Sequence, residues 1–180
     1  MMLNCSRSID IHSRFGLPRI AFISFVTMVI TFFISFEIFH FNNNVRLTDE
    51  HFFLFLVLLI LLYPIHKAIH LMTVIPYVKY FKIHKLVRSR WLPFYNIYVD
   101  KPIRKFYFCI CLLMPLIVIT ILMILIARQF PEYGHYAMFL LALNAGYSVM
   151  DLLYLKIIIF SRQGDYIEEH IYGLMILEKK

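Results

Sequence analysis

The stretch FFLFLVLLILLYPIHKAIHLMTVIP, residues 52–76, decides how this chain folds. Its first half is apolar without a break, and the whole exceeds the roughly 20 residues that cross a bilayer. Its second half carries His66, Lys67 and His70, groups that a helix facing lipid on every side would exclude. The stretch therefore reads as a membrane span with one face turned toward protein.

Three more stretches of that kind surround it, at about Ile20–Phe39, Phe106–Ile126 and Tyr136–Phe160. The chain has 180 residues, 61% of them hydrophobic and 17% aromatic, with a mean hydropathy of +0.74. So much apolar surface in so short a chain has no soluble core to fill, which leaves lipid as its solvent. The expected fold class is an α-helical integral membrane protein with four transmembrane helices. A small β-containing cytoplasmic loop (77–105) and a short C-terminal tail (161–180) complete a single membrane domain.

The net charge of +7 is unevenly placed. Arg7, Arg14 and Arg19 precede span one. Lys79, Lys82, Lys85, Arg88, Arg90, Lys101, Arg104 and Lys105 fill the loop between spans two and three, opposed by Asp100 alone. The two outer loops hold only Arg46 and Arg128, beside Asp49, Glu50 and Glu132. Basic residues mark the cytoplasmic side. Both termini and the central loop are thus expected inside, in a multi-pass protein of the cell membrane. Span one reads as a retained anchor, because its apolar run is long and no small-residue cleavage site follows it. Cys5, Cys109 and Cys111 make no disulfide framework, and the latter two read as small packing residues of span three. Within the loop, Tyr77–Val87 and Asn96–Val99 suggest a hairpin. Asp165–His170 and Leu174–Leu177 suggest strands in the tail.

The polar residues inside the spans are the candidate site. His66 and His70, at i and i+4, share one face of span two. This is the skeleton of the H-E-x-x-H zinc motif, with Lys67 where the glutamate belongs. Span four carries Asn144, Ser148 and Asp151 at i, i+4 and i+7, also one face, with Gly146 allowing a neighbouring helix close. His66 lies about 14 residues and Asp151 about 15 residues below the outer boundary, so both sit roughly 21–23 Å deep at 1.5 Å per residue. His66, His70 and Asp151 at one level form a two-nitrogen, one-carboxylate set with an open position, which suits zinc. The alternative pairs Asp151 with Lys67. Glu37 lies near the opposite surface and is poorly placed to replace the missing glutamate.

Y-P-I-H-K-A-I-H at Tyr63–His70, N-A-G-Y-S-V-M-D at Asn144–Asp151, and P-F-Y-N-I-Y-V-D-K-P-I-R-K at Pro93–Lys105, leading to Pro115, carry a resemblance. The chain resembles bacterial membrane proteins of a zincin-type peptidase family, distantly similar to site-2 intramembrane proteases. The resemblance implies His66, His70 and Asp151 as metal ligands. It implies Asn144 as the residue that holds substrate backbone beside the metal. Lys67 is a departure, since that position supplies the general base for the metal-bound water.

Three arrangements are open to Lys67. It pairs with Asp151 and no metal binds; it turns neutral beside a metal; or it extends away and the site lacks a proton shuttle. The first and third leave proteolysis weak or absent. Three functions follow: a metallopeptidase-like protein, degenerate at its base, acting on a membrane protein or peptide; a non-enzymatic membrane regulator or assembly partner that uses the same groove without metal; and a small transporter, for which four spans without an inverted repeat are few. The basic loop carries no nucleic-acid motif, and its expected polyanion is anionic lipid.

Overall fold

The computed structural model describes residues 3–9, 15–43, 45–85, 95–99, 101–161, 164–170 and 173–179. Strand β1 (Leu3–Ile9) leads into helix α1 (Leu17–Asn42) and then α2 (Phe52–Thr73). A 3-10 turn (Ile75–Tyr80) joins α2 to the hairpin of β2 (Phe81–Lys85) and β3 (Tyr95–Val99). The two-residue β4 (Ile103–Arg104) opens α3 (Lys105–Gln129). After a second 3-10 turn come α4 (Gly134–Tyr147), α5 (Val149–Phe160), β5 (Tyr166–His170) and β6 (Gly173–Lys179). Of the residues expected to separate the hairpin strands, Arg88, Ser89, Arg90 and Pro93 lie outside the described ones.

The chain is mostly helical, and α1, α2 and α3 are each long and apolar enough to cross a membrane. Their most apolar windows reach mean hydropathies of 2.1, 2.3 and 3.1. Their outer faces expose large apolar side chains such as Phe22, Phe33, Phe53 and Ile60, a surface that water does not favour.

The expected fourth span is a bent pair of helices. Tyr136–Phe160 is not one helix: the chain bends by 44° between α4 and α5, and only the two together have the length of a crossing. Ser148 sits at the bend, where its hydroxyl donates to the Asn144 carbonyl at 2.9 Å. A serine bonding back onto its own helix competes with the backbone ladder and bends the axis. The apolar composition runs through this break unchanged, so composition alone reads it as continuous.

Helix α4 occupies the middle of the bundle, with Ala137, Met138, Leu140, Leu141, Ala142, Asn144 and Gly146 buried. Gly146 allows this. A Cβ there would lie 3.2 Å from both the Met28 Cβ and the Ser24 carbonyl oxygen of α1. One apolar core, around Phe39, Leu62, Ile119 and Met123, fills the end near the short loops. The other, around Ile20, Phe108, Leu112 and Ile158, continues into the sheet through Ile103, Ile167 and Ile176.

That sheet has the order β1-β6-β5-β4. The tail strands fall close to where the sequence places them. The partner of β6 is unanticipated: β1 pairs with it antiparallel, from Leu3 opposite Lys179 to Ile9 opposite Leu174. Gly164 turns the chain from α5 into this sheet at φ +83. A Cβ there would meet the Ile176 side chain at 2.3 Å. The sheet therefore gathers both ends of the chain and the start of α3 at one end of the bundle.

Candidate metal centre

Two histidines on α2 meet one carboxylate on α5. His66 Nε2 lies 3.1 Å and His70 Nε2 3.2 Å from the same oxygen, Asp151 Oδ2. Three potential ligand atoms, one from each residue, lie within 4.8 Å of one another. The set agrees with that predicted from depth and helical face, although the face is assembled across a bend. Because α5 starts just after Ser148, Asp151 falls in its first turn.

The other ring nitrogens decide what the centre can hold. His70 Nδ1 lies 3.0 Å from the Cys111 carbonyl oxygen on α3. A carbonyl only accepts, so Nδ1 carries the proton. His66 Nδ1 lies 3.0 Å from Asn144 Oδ1. The amide orientation of Asn144 is fixed from its other end, where Nδ2 donates to the Pro115 carbonyl at 3.4 Å. His66 Nδ1 is therefore a donor as well. With Nδ1 the donor in each ring, each Nε2 faces the same carboxylate oxygen, and a cation among the three atoms, or a proton on Nε2, would bind them together.

The chemistry of this donor set suits zinc. Bonds of about 2.0–2.1 Å in a tetrahedral site place ligand atoms about 3.3 Å apart, close to the two histidine–carboxylate separations of 3.1 and 3.2 Å found here. An acceptor behind each histidine is also how protein metal sites fix ring orientation and tautomer.

Pro115 explains why the Cys111 carbonyl bonds across to a neighbouring helix. Proline has no N–H, so the carbonyl four residues earlier loses its helical partner. His70 from the neighbouring helix takes that place. This contact was missed in the sequence, where a backbone carbonyl leaves no mark. The usable signal was the proline itself, four residues beyond Cys111 in an apolar span.

Asn144, which the resemblance implies holds substrate, has a fully buried side chain with contacts at both ends, to His66 and to the Pro115 carbonyl. The alternative pairing of Asp151 with Lys67 is not formed. The carboxylate contacts the two histidines, while Lys67 is exposed and its ammonium lies 6.0 Å from the centroid of the Tyr63 ring.

A cavity of about 460 Å³ reaches the centre from between α1, α2, α4 and α5. Ser24, Phe25 and Met28 of α1 form one wall. Tyr63, His66 and Lys67 of α2 face the same space, as does Asp151.

The helical bundle combines helices long and apolar enough to cross a membrane with a partly buried His–His–Asp group that could hold a metal ion. Residues 59–166 match the family described as putative zincin peptidase, and the chain, matched over more than half its length, belongs to that family. The match spans every residue of the centre, together with Lys67, Cys111 and Pro115, and leaves out α1. No curated protein and no solved structure matches the chain significantly.

Proposed function

We propose that this chain is a membrane-embedded, zinc-metallopeptidase-like protein in which Lys67 removes the general base, a degenerate member of a proteolytic lineage. One observation carries the proposal: two histidine Nε2 atoms and a carboxylate converge, with each Nδ1 held by an acceptor. Bound there, zinc would polarise a carbonyl and acidify a water.

The chain's own residues supply the rest. His66 and His70 present lone pairs, and Asp151 supplies the negative charge. Asn144 and the Cys111 carbonyl hold the rings. Ser24, Phe25 and Met28 of α1 line the cavity beside the centre. A charged Lys67 cannot take a proton from water, so hydrolysis lacks its proton shuttle.

The reading includes a location. The four crossings sit in a cell membrane with both termini cytoplasmic. The basic central loop supports this orientation, and so does the pairing of β1 with β6, which requires both ends of the chain on one side.

A second reading is favoured by Lys67 itself. The protein is then a non-enzymatic regulator or assembly partner that uses the cavity for binding alone. Substituting Lys67→Glu tests the lineage. The variant, zinc-loaded in nanodiscs, is expected to cleave an apolar reporter peptide about 10²–10⁴ times faster than the parent, the usual worth of a placed general base. A folded, zinc-loaded variant with no hydrolysis counts against proteolytic ancestry and leaves the binding-only reading.

A further inference from the structure

We infer that the cavity beside the centre takes the free C-terminal carboxylate of an apolar peptide, with Lys67 as the residue that recognises it. The inference rests on the reading of His66, His70 and Asp151 as a ligand-binding centre and adds the class of ligand.

Lys67 lines the same cavity as His66 and Asp151. Among the described residues it makes no ion pair; its ammonium rests near the Tyr63 ring, one helical turn back. Asp151, the acidic group of that cavity, is engaged by the two histidines. Among the described residues, no carboxylate of the cavity wall lies within ion-pair distance of this ammonium.

The rest of the wall suits an apolar chain. Phe25 and Met28 come from α1, Leu143 from α4 and Met150 from α5. A volume of about 460 Å³ falls within the range of about 300–1,000 Å³ common for small-ligand sites.

Position makes the anion a carboxylate. Lys67 stands next to His66, where the zinc motif carries a carboxylate of its own. With the sign reversed there, the complementary group must arrive on the ligand. In a peptidase family the ligand that brings one is a peptide with a free C terminus. An internal segment has no charge to offer, and an ammonium facing it in an apolar setting would be left desolvated and unpaired.

The test uses the full chain in nanodiscs and isothermal titration with N-acetyl-Leu-Leu-Phe as the free acid, the same peptide as its C-terminal amide, and octanoate. A charge-assisted bond from Lys67 predicts that the acid binds about ten- to a hundredfold tighter than the amide. Lys67→Gln is expected to erase that preference and Lys67→Arg to keep it, with thermal melting showing that both fold. Equal affinity for acid and amide overturns the proposal, as does a preference that survives in Lys67→Gln. Octanoate binding as tightly as the peptide acid overturns the peptide assignment. Zinc content is measured on the same samples. Zinc bound without acid preference removes Lys67 as the recogniser and leaves the metal centre. Acid preference without zinc removes the metal centre and leaves Lys67.

Discussion

Replacing Pro115 by alanine separates the fit of the helix from the fit of the metal centre. In α3 the proline leaves the Cys111 carbonyl without its helical donor, and His70 Nδ1 bonds it at 3.0 Å. Alanine restores an N–H four residues on, aimed at the same oxygen. It also removes the ring that holds the local axis open. The carbonyl turns back toward its own helix, and His70 loses part of its orientation. Loss of an outer partner of a metal-binding histidine costs about 10–100-fold in affinity, or roughly 1.4–2.8 kcal/mol. Stability without metal moves differently. The helix gains a bond and sheds a residue worth about 3 kcal/mol against helical structure, while a buried ring disappears and leaves a cavity costing a few kcal/mol. These offset, so metal-free melting should shift little. The assay is zinc affinity by chelator competition beside melting of the metal-free protein. Zinc affinity equal to that of the parent would refute the role given to Pro115 and the Cys111 carbonyl.

Three other outcomes follow from particular contacts. Asn144→Ala leaves His66 Nδ1 without its acceptor inside the bundle, so zinc affinity should fall about 10–100-fold and stability by about 1–3 kcal/mol, read by the same competition and by melting. Gly146→Leu forces α1 away from α4, where a Cβ already meets Met28 and Ser24 at 3.2 Å, and should cost about 1–3 kcal/mol or more; Gly146→Ala asks for only a few tenths of an ångström and should cost less. Alkaline phosphatase fused after Lys180 should be inactive in intact cells under the proposed orientation, and activity there would reverse that orientation.

Much of the fold was legible because long apolar stretches dominate the chain. Apolar length marks the helices, and polar residues stand out as exceptions to it. His66 and Asp151 could be placed at one level by counting residues from the loops, and the glycine at 146 announced a close helix contact. The tail strands were visible because alternation and Gly173 are local signals. The bend at Ser148 was hidden by the unbroken apolar composition around it. Strand β1 was hidden for another reason: its partner β6 lies at the far end of the chain, and nothing local to Leu3–Ile9 names it. The separation of Lys67 from Asp151 was equally unreadable. Sequence places both near one level, and only the structure shows the carboxylate in contact with the two histidines.

The most direct test of the account is the zinc content of the purified full chain after a zinc soak and desalting, beside a His66→Ala/His70→Ala variant that melts as a folded protein. The account predicts about one zinc per chain, from the His–His–Asp set with an open fourth position, and loss of that zinc in the variant. A well-folded parent that retains no zinc, or a variant that retains as much as the parent, would contradict it.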